Sequence, residues 1–438
     1  MTENIPIKFS KKTVKVDKQQ YEIITKPQTE DICIISCAGS GKTQTIVSRV
    51  CYMIDYLGCD SNNFMVTTFT RNATDDMKER IEQYIGMSHV LCGTFHSISL
   101  MILNKYTPYV LDENTHIDET QYMFYEFLKS NESIEFKEKI KYIFVDEYQD
   151  INDIQHKIIS ELYKNAVSLV VVGDDSQNIY NFRGSNISFI LNFSENFKKA
   201  TMCKLITNYR SSKEIINLAN AIISKNNNQI KKNMIPYRNE DTIKPKIYLF
   251  ETLFEEIKFV VKSIIDDLVI RKIPPDRIAI FSRNNQPLYY TEEQLTKKGV
   301  KNIMISTEYK AGITHLKHHV SLSSIHSSKG LEWKKVYLIG MNDNFFPSRY
   351  DPESIDEERR LFYVAVTRCR KELVITHSKT NPITRFISEL DESLFDYDCL
   401  SKSTKTTNRL ININNSVTHL IKKLNGDDYK KLKELEII

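Results

Sequence analysis

The chain has 438 residues, 41% of them apolar and 26% charged, a globular composition that excludes a disordered or collagen-like class and predicts two or three domains. Its net charge of +4 is too small to select a polyanion by bulk attraction, so any nucleic-acid binding has to come from a local groove. Eight cysteines show no C-x-x-C pairing, which excludes the usual zinc and iron–sulfur spacings and fits reduced thiols.

In chain order, the opening MTENIPIKFSKK lacks the apolar segment of a secretory signal. No apolar run approaches the roughly 20 residues that span a bilayer. An intracellular protein with no membrane partner is therefore expected. Short, β-rich apolar runs then alternate with amphipathic stretches: ICIIS (32–36), FMVTTF (64–69), YIFVD (142–146) and SLVVVG (168–173). Residues 99–140 read as a small helical insertion, polar and aromatic. A second set of runs follows: KIYLF (246–250), RIAIF (277–281), VSLSSI (320–325), KVYLIGM (335–341) and ELVITH (372–377). Strands apolar on both faces and separated by helices predict parallel sheets, hence an α/β fold. The two sets predict domains over 1–204 and 205–385. Residues 386–438 read as a polar linker, SKSTKTTNRLININNS, and a short helical tail.

IISCAGSGKTQT places a glycine-rich turn between a strand and a helix, where backbone N–H groups can cradle phosphates. Lys42 would reach the β- and γ-phosphates and Thr43 would ligate Mg²⁺. Ser36 stands where the strict phosphate-loop pattern has its first glycine. YIFVDEYQD delivers Asp146 and Glu147 at the C-terminal end of a strand, the end where α/β proteins bind ligands. Asp146 suits the metal and Glu147 suits the base that orients water. Together the two motifs predict a P-loop ATPase. NYRSS (208–212) and YVAVTRCRKEL (363–373) offer Arg210 and Arg368 as cations for the γ-phosphate, although for an arginine in either place alone an ordinary surface ion pair is the favoured reading. TTFT, GTFHS and IYNFRG set aromatic and polar side chains beside these motifs, and base stacking on such rings tolerates any sequence. The loop GDDSQNIYNFRGS carries acids, a glutamine and rings together, which by itself fits a turn, a metal site or a nucleic-acid contact. With only 12 glycines in the chain, those in these motifs are expected where the backbone needs positive φ or a close approach.

Taken in order, these segments resemble superfamily 1 helicases of the UvrD/Rep/PcrA type. VDKQQYEII resembles the Q motif, AGSGKT motif I, TTFTRNATDDM motif Ia, GTFHS motif Ib, VDEYQD motif II and GDDSQNIYNFRG motif III. NYRSS resembles motif IV, AIFSRNN motif IVa, SSIHSSKGLEW with GMNDNFFPS motif V, and EERRLFYVAVTRCRKEL motif VI. The resemblance implies two RecA-like P-loop NTPase domains that use ATP and Mg²⁺. By it, Ala38, Gly39, Ser40, Gly41, Lys42 and Thr43 hold the nucleotide phosphates, Gln20 reads adenine, Tyr209 stacks on it and Glu332 approaches the ribose or the γ-phosphate side. Gln177 senses the γ-phosphate. Thr68, Phe69, His96, Tyr180, Phe182, Arg183 and His326 line the DNA track. The implied activity is 3′→5′ movement on single-stranded DNA with unwinding at single-strand/duplex junctions, by a monomer. The alternative is a DNA-stimulated translocase that strips bound proteins or works within a replication or repair complex.

The sequence departs from the family in several places. Phe182 stands where many members have Trp, and Gln44 where many have Arg. The segments from His96 to Asp146 and from Arg283 to His326 are short. They imply a trimmed 1B subdomain and essentially no 2B.

Overall fold

Buried β-branched runs set the layout. The computed structural model describes residues 4–108, 111, 115–238, 243–306, 317–348 and 352–398. The chain divides into two compact units. The first is Met1–Arg210 with Asn226–Arg238, and the second is Ser211–Lys225 with Asn239–Ile438.

In the first unit six parallel strands lie in the order Leu91–Thr94, Phe64–Thr68, Tyr142–Val145, Ser168–Gly173, Ile32–Ser36 and Thr201–Leu205. Every residue of Ile32–Ser36, Phe64–Thr68 and Ser168–Gly173 is buried. That follows from apolar side chains on both faces and helices covering each side. The two outer strands escaped the sequence reading. LCGT is short and holds a glycine, and TMCKL alternates between half-buried, exposed and buried positions as an edge strand does. The stretch read as a helical insertion forms helices Phe95–Tyr106, Ile117–Lys129 and Ile134–Lys139. Phe124, Phe127 and Phe136 of these helices join the core on one face of the sheet.

In the second unit seven parallel strands lie in the order Asn302–Ile305, Val320–Ser324, Ile278–Ser282, Trp333–Leu338, Cys369–Ser378, Lys246–Phe250 and Asp396–Asp398. Helices Leu253–Val269 and Asn285–Lys297 pack their apolar faces on it through Ile257, Val260, Ile264, Leu288 and Leu295. Each unit is thus a parallel sheet flanked by helices, the RecA-like architecture.

Two boundaries differ from the sequence reading. The first unit does not stop at 204. Asn208 Nδ2 donates to Ala38 O at 2.8 Å and Tyr209 N to Gly39 O at 2.9 Å, which fastens that segment to the glycine-rich loop. The region assigned from 386 to linker and tail opens as folded chain, because Phe386, Ile387 and Phe395 are buried and Asp396–Asp398 adds a strand beside Lys246–Phe250; the polar stretch SKSTKTTNRLININNS lies outside the described residues. The predicted helical tail lies outside the described residues. Among the described residues no helix is long and apolar enough to cross a membrane.

Candidate nucleotide and nucleic-acid site

Strand Ile32–Ser36 ends in the loop Cys37–Gly41, and helix Lys42–Asp55 starts at once behind it. Gly39 and Gly41 have φ of +67° and +81°, a region that costs an L side chain roughly 1–2 kcal/mol. A Cβ on Gly39 would lie 2.7 Å from Arg210 Cβ, and one on Gly41 2.6 Å from Gln20 Nε2. Both glycines therefore answer a close approach as well as a conformation. Ser36, the departure from the strict pattern, is buried and donates from Oγ to Gly173 O at 2.9 Å. It ties the phosphate-loop strand to the strand that begins the 174–184 loop.

Asp146 and Glu147 leave strand Tyr142–Val145 at its C-terminal end. Glu147 holds φ +52°, ψ +42°, an uncommon conformation for a side-chain-bearing residue and one that gathers at functional sites. Lys42 Nζ lies 3.0 Å from both Glu147 oxygens. Asp146 Oδ1 accepts from Glu147 N at 2.9 Å. Burial and the adjoining Glu147 charge push the Asp146 carboxyl up to about 7. Burial opposes the charge on Lys42, but Glu147, Asp146 and Asp174 outweigh it and raise its pKa.

Gln149, which the sequence reading passed over, links the acids to the next loop. Its Nε2 donates to Glu147 Oε2 at 2.6 Å and to Asp150 Oδ2 at 3.0 Å, while its Oε1 accepts from Asp174 N at 2.8 Å. Gly173 leaves room for this side chain, since a Cβ would lie 2.6 Å from Ile190 Cδ1 and 2.7 Å from Gln149 Oε1. Beyond it Gln177 Nε2 donates to Asp174 Oδ2 at 2.6 Å. Asp174 and Asp175, the acids of that loop, are both paired with Lys232.

Gln20 sits on helix Lys18–Ile24, closed by a capping box with Asp17. Its Oε1 accepts from Asp17 N at 3.1 Å and its Nε2 donates to Ser40 O at 3.2 Å, so its amide braces the glycine-rich loop. Tyr209 donates its hydroxyl to Asp17 and packs on Tyr237 with ring centroids 4.8 Å apart. Fully buried Arg49 fixes the helix by donating to the carbonyls of Ile23, Ile24, Lys26 and Pro27 at 3.0–3.3 Å. Gln44 accepts from Tyr84 OH at 2.9 Å and donates to Ser48 Oγ at 3.0 Å.

Beside the acids lies a groove of about 680 Å³ whose lining includes Thr68, Phe69, His96, Asp146, Tyr180 and Arg183. The Phe69 and Tyr180 rings stack, centroids 5.3 Å apart and 13° between planes. Phe182, 53% exposed, meets Tyr180 edge-on at 6.0 Å. The Arg183 guanidinium lies 5.5 Å and 5.6 Å from the Tyr180 and Phe182 centroids.

The remaining candidates belong to the second unit. Buried Arg368 donates to Val364 O at 3.1 Å, Leu331 O at 3.2 Å and Thr367 Oγ1 at 3.2 Å. Glu332 pairs with Arg370 at 3.3 Å. His326 opens the short turn His326–Ser328.

Among the described residues no group of three or more His, Cys, Asp or Glu gathers that could hold a metal alone. A threonine hydroxyl at the start of helix Lys42–Asp55 and the buried Asp146 carboxyl are oxygen donors of the type Mg²⁺ takes beside phosphate and water.

A glycine-rich strand–loop–helix, an acid pair facing its lysine and two RecA-like sheets define the class as a P-loop nucleotide-binding fold. The chain belongs to the UvrD/REP helicase family. The UvrD/REP helicase N-terminal domain model matches residues 16–132 and 111–198, and the UvrD-like helicase C-terminal domain model matches 203–311 and 308–380. The chain is 27% identical to the putative ATP-dependent DNA helicase YjcD of Bacillus subtilis, over 62% of this chain and 46% of the relative. It is equally identical to the putative ATP-dependent DNA helicase R568 of Acanthamoeba polyphaga mimivirus, over 96% and 62%. The figures for the ATP-dependent DNA helicase PcrA of Bacillus subtilis are 27%, 64% and 49%. The chain thus spans about half to three fifths of the length of the curated relatives it matches.

Proposed function

We propose that this chain is an ATP-driven DNA helicase or translocase, moving 3′→5′ on single-stranded DNA and opening duplex at the junction. The observation that carries this reading is the hydrogen-bonded route from Glu147 through Gln149 to Asp174 and Gln177, on a loop whose far end sets Tyr180 against Phe69. One loop touches both the residues suited to a γ-phosphate and those suited to a base.

Lys42 exchanges its Glu147 partner for the β- and γ-phosphates of ATP, cradled by Ala38–Thr43. Glu147, released from Lys42, orients the attacking water. Thr43 and Asp146 would hold Mg²⁺, which would supply neutralising charge at the phosphates. Arg210 and Arg368 supply further cations to the γ-phosphate, and Tyr209 stacks on the adenine. Gln177 registers the γ-phosphate, and its loop shifts the rings that hold a base. Melting a base pair costs about 1.4 kcal/mol, and one base stack is worth about 1–3 kcal/mol. A step of about one nucleotide per ATP is consistent with that exchange.

The test is ATP turnover with and without single-stranded DNA, followed by displacement of 3′-tailed and 5′-tailed duplexes. Turnover should rise with DNA, vanish in Lys42→Ala and drive displacement from the 3′ tail. Equal displacement from both tails rules out the polarity, and turnover that survives Lys42→Ala rules out the site.

A further inference from the structure

Lys232 takes no part in the phosphate loop, the acid pair or the aromatic groove, yet its side chain is only 3% exposed. It pairs with Asp175 and lies 3.1 Å from Asp174, both of whose side chains are fully buried. Its ammonium also donates to Ser176 Oγ at 3.2 Å, and Ile230 N donates to the second Asp175 oxygen at 3.0 Å. The oxygens of Asp174 are divided. Oδ1 faces Lys232 and accepts from Ser176 N at 3.1 Å, while Oδ2 accepts from Gln177 Nε2 at 2.6 Å. A single ammonium therefore fixes the carboxylate that orients Gln177.

Stability alone explains this arrangement poorly, because well-packed apolar side chains generally replace a buried ion pair at no loss. What the charges provide is one defined arrangement of the loop. Lys232 stays charged there: burial opposes the charge, but Asp174 and Asp175 raise its pKa well above the usual lysine value. The segment that carries it, Asn226–Arg238, belongs to the first unit but is joined in sequence at both ends to residues of the second.

Resting on the helicase reading, we propose that Lys232 is a positioning residue for Gln177, pinning the 174–184 loop from a peptide tethered on both sides to the other unit.

The test uses the full chain carrying Lys232→Met with Asp175→Asn, so that no surplus carboxylate is left without a partner, and Lys232→Arg beside it. Fluorescent ATP-analogue affinity in the double variant should stay within about threefold of wild type. DNA-stimulated kcat should fall about tenfold or more, the size expected when a hydrogen bond to a charged group is lost. Lys232→Arg should recover at least half of that loss. Hydrogen exchange should quicken at the amides of residues 174–180 and stay unchanged at 37–42. Unchanged exchange at 174–180 overturns the pin whatever the activity shows. So does a parallel loss of nucleotide affinity and kcat. A wild-type chain with no DNA stimulation refutes the helicase reading instead, and exchange then decides the pin on its own.

Discussion

Replacing Gln149 by leucine tests the junction between the acid pair and the 174–184 loop. Leucine nearly preserves volume but removes every polar atom. Asp174 N–H, in a residue with no exposure, loses its acceptor at 2.8 Å. An unsatisfied buried donor costs about 1–3 kcal/mol. Glu147 and Asp150 lose a shared donor at 2.6 and 3.0 Å. Glu147 is a quarter exposed, so water recovers part of that loss, and about 1 kcal/mol is a fair allowance. The sum is about 2–4 kcal/mol against the first unit. At roughly 2–4 °C per kcal/mol for a unit of this size, its melting transition should drop by about 4–16 °C. Calorimetry reads this directly, with the second unit's transition as the internal standard. DNA stimulation of ATP turnover should fall more than basal turnover, because the link rather than the phosphate cradle is lost. A Gln149→Leu chain whose first transition moves by less than about 1 °C and whose DNA stimulation is intact would refute the reasoning.

Gly39→Ala combines a left-handed backbone penalty of about 1–2 kcal/mol with a 2.7 Å approach to Arg210 Cβ. Nucleotide affinity should drop at least about tenfold by analogue titration, while Gly58→Ala, also at positive φ but with open space around its Cβ, should leave it unchanged. Phe69→Ala removes one ring of the 5.3 Å stack and should weaken single-stranded DNA binding by about 1–3 kcal/mol in fluorescence anisotropy, with nucleotide affinity retained. In the second unit buried Glu256, which accepts from Gly340 N at 2.5 Å and Thr376 Oγ1 at 2.6 Å, has its carboxyl pushed by burial to about 7 against an ordinary 4.5. The folded state then holds a proton that the unfolded chain releases between those values, so stability falls as pH rises from about 4.5 to 7 and is level above. Urea midpoints of the second transition should trace that decline, and Glu256→Gln should flatten it.

The strands with continuous apolar runs were legible because burial on both faces writes itself into every residue: ICIIS and SLVVVG have the bounds predicted for them. The edge strands Thr201–Leu205 and Asp396–Asp398 were not, since an edge needs less apolar surface and its pairing partner is distant in sequence. The glycine-rich loop and the acid pair were legible from spacing alone. Gln149 and Lys232 were not. Their meaning lies in contacts with Asp174 and Asp175 across 25 and 57–58 positions of the chain, and no local pattern records such a pairing. A glutamine three residues beyond Asp146 was visible in VDEYQD, and a lysine in the returning segment was one of many.

These unseen contacts bear on how an acidic loop can adjoin the proposed triphosphate site. Asp174 and Asp175 would oppose a polyanion if left bare, since two unit charges 4 Å apart still interact by about 4 kcal/mol at an effective dielectric near 20. Lys232 cancels one of the two charges, and the donors Ser176 N, Ile230 N and Gln177 Nε2 spread the other over hydrogen bonds. The negative charge that remains on this face is then concentrated at Asp146 and at Glu147, paired with Lys42, where the proposed function asks for a divalent cation and a water-orienting base. The two pairs of acids are thereby separated in role by their partners: a lysine with fixed hydrogen bonds for one, and for the other Lys42, which a phosphate can draw away.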